Sequence, residues 1–154
     1  GRPYIRSDAS RDPRFAWIFE GVDGEAIDAH SVLMGGPAGF EIDAMRHDLG
    51  TPADATRLAS ASDFDAMAYM AAEDVLSTGV RGVIGTDMVY RAVPGGGYVF
   101  SAPSIAWTGC LADKGGENAV ARITRNVLQA FLSPAGPPTA PAPFSEETGH
   151  AERP

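Results

Sequence analysis

Apolar residues along this chain come in short runs broken by glycine, proline and charge. Trp17-Ile18-Phe19 stands between Arg14 and Glu20-Gly21, and its length and flanks predict a strand. Ser31-Val32-Leu33-Met34 predicts a second, stopped by Gly35-Gly36-Pro37. Gly39 to Asp43 reads as a turn or short extended piece, Thr51-Pro52 punctuates a loop, and Thr56 to Ala59 predicts a third strand. Asp63 suits a helix cap; Phe64, Met67, Ala68, Ala71 and Val75 then recur at helical spacing, with Gly79 as a stop signal. Asp87 to Val93 and Tyr98 to Ser101 predict strands joined through Pro94-Gly95-Gly96-Gly97, a hairpin signal. Ser104 to Trp107 predicts a further strand. The clearest period comes last. Val120, Ile123, Val127, Leu128, Phe131 and Leu132 share one helical face, Arg122, Arg125 and Asn126 lie off it, and Ser133-Pro134 ends it. Residues 1–14 are polar and read as an irregular approach.

These elements predict a strand-rich α/β chain with few helices. Parallel pairing needs crossovers longer than several of the loops, so a sheet completed by other chain segments, upstream or from a partner, is expected. Residues 1–134 read as one domain part. From Ser133 the composition changes: Pro134, Pro137, Pro138, Pro141, Pro143 and Pro154 appear with few large apolar residues. Residues 135–154 therefore read as a Pro-rich disordered tail, too poor in apolar surface to offset the entropy of ordering.

Composition narrows the function classes. Hydrophobic residues make up 44% and charged residues 21% of 154, an ordinary globular balance. The net charge is −8, with Lys+Arg 12 against Asp+Glu 20. That argues against nucleic acid and against an anionic membrane surface, both of which need a basic face. No apolar run approaches the roughly 20 residues that span a bilayer. Cys110 is the single cysteine, so no intrachain disulfide forms and a reducing, cytoplasmic setting is expected. The start Gly1-Arg2-Pro3-Tyr4 has no initiator Met and no signal-peptide core, which suggests a fragment or processed product.

Four features bear on chemistry. Gly35-Gly36-Pro37-Ala38-Gly39 resembles a phosphate-cradling loop, but no helix start, P-loop Lys or GxGxxG follows. A tight turn is the better reading, or a place where glycine lets another backbone approach. Glu41 and Asp43 are spaced i, i+2 and would share a face of an extended segment, as acid–base work or a hard metal would require. Spacing alone favours a solvated pair. His30, His47 and His150 lack the spacing of a zinc site, and His47 reads as a surface residue. Cys110 follows Gly109, but Ala112 stands where a nucleophile elbow needs glycine, and no His base is evident. A buried, inert thiol is expected.

Several segments, in order, resemble the large (beta) subunit of the N,N-dimethylformamidase family: Arg14 to Gly21, Gly35 to Asp43, Leu49-Gly50-Thr51-Pro52, Arg81 to Gly97 with Asp87-Met88-Val89, Ser104 to Gly109, and Asn118 to Leu128. The resemblance implies a class I glutamine-amidotransferase-like (flavodoxin-like) α/β sandwich that lacks that fold's nucleophile, present here as an incomplete C-terminal portion. It implies hydrolysis of small N-substituted formamides to formate and an amine. It implies a mononuclear iron held by two tyrosines and a glutamate upstream of this chain, with none expected in this chain alone. The remaining part of the large subunit and a small subunit are the implied partners. Glu41 matches a family glutamate beside the metal centre. One departure stands out: Ser60-Ala61-Ser62-Asp63-Phe64 replaces the family's Ser-Glu-Gly-His before a helix, which bears on substrate identity. Cys110 stands where the family often has Ser.

Two readings follow. In the first, the chain is part of an amidase, with Glu41 as the base or as the group that orients a metal-activated water. In the second, it is a non-catalytic α/β module for assembly, as the missing elbow and the lack of a self-contained site suggest.

Overall fold

The computed structural model describes residues 1–64, 71–72, 75–76 and 85–138. The strands are β1 (Tyr4–Arg6), β2 (Ala26–Ile27), β3 (Thr56–Ala61), β4 (Ala71–Ala72), β5 (Val75–Leu76), β6 (Thr86–Ala92) and β7 (Tyr98–Ser101). Five of them form a sheet in the order β2-β1-β3-β6-β7, and each described pairing is antiparallel. The helices are α1 (Ile105–Cys110) and α2 (Ala119–Leu132).

The β6–β7 hairpin forms as the sequence predicts. Val93 and Gly97 close it, N–H to carbonyl, at 3.0 Å, and Gly95, Gly96 and Gly97 take the positive φ values that its turn demands. The β3 strand also lies where expected, with one irregularity. Its register against β6 shifts between Arg57 and Ala59. This bulge turns the successive residues Leu58 and Ala59 both inward, where strict alternation would bury one. Ser7 occupies the irregularity, its N–H and hydroxyl both donating to the Leu58 carbonyl at 2.9 and 3.0 Å.

Three predicted strands are corrected. Trp17-Ile18-Phe19 lies in a 3-10 helix, Pro13–Phe19, because Asp12 caps it by accepting from the Arg14 N–H and Pro13 presets its first turn. Ser31 to Met34 is a tight turn, closed by reciprocal Ser31 and Gly35 backbone bonds of 2.8 and 2.9 Å. Ser104 to Trp107 opens α1 instead of forming a strand, since Ser104 caps the Ala106 N–H. The irregular approach expected over residues 1–14 contains β1, whose Tyr4 is fully buried. The helix expected from Asp63 is also corrected where it can be seen. Asp63 has φ 60, and Ala71–Ala72 pairs with Val75–Leu76 as a short hairpin. Met67, Ala68 and Gly79 lie outside the described residues.

The core lies between the sheet and the helical segments. Tyr4, Ile18, Ile27, Leu58, Met88, Val120 and Ile123 are fully buried there. Trp107 meets Tyr4 edge-on at 6.0 Å and donates from its indole to Thr124 Oγ1 at 3.1 Å, joining α1 to both β1 and α2. The predicted face of α2 is the buried one for Val120, Ile123 and Val127, whereas Leu128 and Leu132 remain exposed. Gly136 sits against Tyr98, where an added Cβ would lie 3.0 Å from the hydroxyl, and Pro137 is buried. Residues 139–154, most of the expected tail, lie outside the described residues. Among the described residues no helix is long and apolar enough to cross a membrane.

Asn118 holds the start of α2. Its Oδ1 accepts the Ala121 N–H at 2.9 Å, while Nδ2 donates to the Cys110 and Asp113 carbonyls at 3.2 and 2.7 Å. Asn118→Ala removes this cap from a half-buried site. We expect a loss of about 1 kcal/mol, read as a lower urea midpoint with unchanged slope.

Candidate functional site

The loop from Gly39 to Met45 carries both carboxylates singled out above. It is not extended. Phe40 and Glu41 have φ of 56 and 43, both left-handed. Two adjacent non-glycine residues in that region hold strain, which the surrounding contacts must sustain. The contacts are specific. Ser104 Oγ accepts the Gly39 N–H at 2.8 Å and donates to the Gly39 carbonyl. The first N–H groups of α1 close on the loop, Ile105 to the Phe40 carbonyl at 3.2 Å and Ala106 to the Gly39 carbonyl at 3.3 Å. Further along, the Asp87 N–H donates to the Asp43 carbonyl at 3.1 Å, and the Met45 N–H donates to Asp87 Oδ2 at 2.9 Å.

The left-handed turn separates the two carboxylates. Spacing i, i+2 would align them on a strand, but the backbone reverses at Glu41, so that argument fails here. Glu41 is exposed, and no hydrogen bond or ion pair holds its carboxylate among the described residues. Asp43 instead lines a hollow of about 170 Å³ with Met45, Thr51, Asp87 and Ser101. Asp87 is buried in that wall and pairs with Arg57 at 3.6 Å. Its hydrogen bond to Met45 N–H and this pair make it a support for the loop.

The glycine segment ahead of the loop serves backbone approach. Arg2 and Ala38 exchange backbone hydrogen bonds of 2.7 and 2.9 Å. A Cβ at Gly36 would fall 2.7 to 2.9 Å from the Arg2 backbone, so glycine is required there. Cys110 is fully buried, with Sγ 3.5 Å from the Gly35 carbonyl. It belongs to α1, not to the end of a strand, and burial pushes its thiol up in pKa. Both facts fit an inert thiol. His47 is exposed, with Nδ1 2.9 Å from the Thr51 carbonyl, and His30 is exposed as well. His150 lies outside the described residues. A second hollow of about 240 Å³ sits at the start of α2, between Asp23, Glu117, Asn118 and Arg122. Glu41 lines neither.

Ser104 and Asp87 are the residues that sequence reading missed as parts of this site. Ser104 was legible as a helix cap: it precedes apolar residues at 105, 106, 107 and 110, a helical set. Asp87 left no comparable signal, since its partners, the Met45 N–H and the Arg57 side chain, lie 42 and 30 positions away.

A family model described as N,N-dimethylformamidase beta subunit-like, C-terminal, matches residues 1–120. The chain belongs to this family. The N,N-dimethylformamidase beta subunit of Paracoccus aminophilus is 32% identical over 136 residues, 84% of this chain. The protein of the same name from an Alcaligenes species matches equally, at 32% over 136 residues. The chain spans 18% of the length of each. The family's matched region takes in the whole Gly39–Met45 loop and Ser104, and ends at the first turn of α2.

Proposed function

We propose that this chain is the C-terminal portion of an amide hydrolase that cleaves small N-substituted formamides to formate and an amine, with Glu41 as the base. The observation that carries this reading is the family match over residues 1–120 together with identity to dimethylformamidase beta subunits. The loop geometry supports it: Glu41 is exposed, unpaired among the described residues, and held by a strained turn on a fixed support. A carboxylate so placed takes a proton from an attacking water and later returns it to the departing amine nitrogen.

The iron implied by the resemblance would be held outside this chain. The amidotransferase-like sandwich would likewise be completed by segments that extend the sheet at its β2 and β7 edges.

The test is formate release by the complete enzyme from N,N-dimethylformamide and its N-alkyl analogues, with amine appearing in equal amount. Release of neither product from any of them would overturn the reading. A second reading, a non-catalytic assembly module, is favoured by the exposed apolar surface around α1.

A further inference from the structure

Two residues grip the Gly39–Met45 loop, one at each end, and each grips twice. Ser104 Oγ accepts the Gly39 N–H and donates to the Gly39 carbonyl. Asp87 donates its own N–H to the Asp43 carbonyl at 3.1 Å and accepts the Met45 N–H on Oδ2 at 2.9 Å. The two grips share a footing. The Pro103 carbonyl, just before Ser104, accepts the Asp43 N–H at 3.4 Å and the hydroxyl of Thr86, just before Asp87, at 3.3 Å. Thr86 is itself buried and bonded to the Tyr4 hydroxyl. Between the grips, Glu41 and Ile42 make no hydrogen bond among the described residues. The two ends of the loop therefore set where Glu41 stands.

Asp87 is the only carboxylate buried among the described residues. Burying a carboxylate costs stability unless its oxygens are bonded, and an apolar residue would fill the same strand position without that cost. What the acid adds here is the bond it makes. Arg57, its side chain 58% exposed, reaches the other oxygen only at 3.6 Å, beyond hydrogen-bond length. The Met45 N–H is thus the main partner, and a carboxylate holds an N–H more strongly than a neutral acceptor does. We propose that Asp87 is a positioning residue for the hydrolysis: it fixes the far end of the loop, so that the Glu41 carboxylate is already in place for the attacking water. This inference rests on the reading of Glu41 as the base. Glu41 acts on the water and not on the resting amide, so a loosened loop should register in kcat and not in KM.

Steady-state rates and amide exchange on the complete enzyme test it. Asp87→Ala should lower kcat about tenfold or more, since a displacement of about 1 Å costs up to about 100-fold. KM should stay within about twofold, and the Met45 amide should exchange faster than in the wild type. Asp87→Asn keeps an acceptor oxygen for the Met45 N–H and should bring kcat back to within about threefold of the wild type. In the Glu41→Gln background, Asp87→Ala should cost less than about twofold more, because the two residues act as one unit. A merely structural role would lower the thermal midpoint and leave kcat per folded enzyme unchanged, and that result overturns the proposal. So do unchanged Met45 exchange, an asparagine variant no better than alanine, and an equal loss in both backgrounds. If the alanine variant does not fold, Asp87→Leu, close to aspartate in shape, fills the same place and carries the same expectations. A low kcat for Glu41→Gln beside a normal one for Asp87→Ala sinks the positioning role and leaves the base reading standing. Normal turnover by Glu41→Gln sinks the base reading, and the positioning role with it.

Discussion

Glu41→Gln should lower turnover of the complete enzyme by at least about 100-fold, the lower end of what loss of a general base costs. The substitution keeps the size of the side chain and most of its hydrogen bonding, and it removes the proton acceptor. Glutamine also meets the same left-handed backbone at φ 43 that glutamate meets, so the loop should not relax. The Glu41 carboxylate makes no hydrogen bond or ion pair among the described residues that folding could lose. Thermal midpoint and metal content should therefore match the wild type. A factor of 100 corresponds to about 2.7 kcal/mol of transition-state stabilisation, well beyond the effect of altering an exposed carboxylate. Steady-state rates measured beside metal analysis separate the outcomes. Normal turnover removes Glu41 from the mechanism. Loss of metal along with activity would make it a holder of the ion or a support for one.

Ser104→Ala should destabilise the isolated chain by roughly 2–4 kcal/mol. Three bonds go, of which the donation to the Gly39 carbonyl matters least, because that carbonyl keeps the Ala106 N–H. The helix cap on the Ala106 N–H goes, worth about 1 kcal/mol. The Gly39 N–H, buried with its residue, loses its acceptor, worth about 1–3 kcal/mol. For a domain of this length that is a fall in thermal midpoint of roughly 4–16 °C. Ser104→Gly divides the effect, because glycine replaces a capping residue at a cost of only a few tenths of a kcal/mol. Most of the loss should persist in the glycine variant. If glycine instead restores full stability, the Gly39 contact is worth little and Ser104 does no more than cap α1. In the complete enzyme both variants should lower turnover, since Ser104 fixes the strained Phe40–Glu41 turn.

What the sequence revealed divides along the range of the interactions. The α2 helix and the β6–β7 hairpin were legible because their determinants are local: an apolar stripe in one, a glycine turn in the other. Trp17-Ile18-Phe19 and Ser104 to Trp107 were misread for a shared reason. Short apolar runs do not separate strand from helix by period, and the deciding signals were the capping residues Asp12 and Ser104. The β1 strand was missed because Tyr4 owes its burial to β2 and β3, which lie far along the chain. Glu41 is a candidate through family resemblance. The reason first given for pairing it with Asp43, a shared strand face, does not survive the left-handed turn. Phe40 and Glu41 could not be foreseen as left-handed, since that conformation is imposed by Ser104 and α1 more than 60 positions away.

The tie between the Pro13–Phe19 helix and α2 has a consequence for how the chain is born. Asn126 Nδ2 donates to the carbonyls of Ile18 and Glu20, at 3.1 and 3.0 Å, and Ile18 lies 108 positions earlier. At synthesis rates of roughly 5–20 residues per second, about 5–20 s separate the two on the ribosome. For that interval Phe15, Ile18 and Phe19 have emerged without the helix that covers them. The sheet waits as well, since β1 needs β3 and β3 needs β6. Those apolar segments thus stay uncovered until α2 leaves the tunnel, so the core closes late, from the C-terminal side.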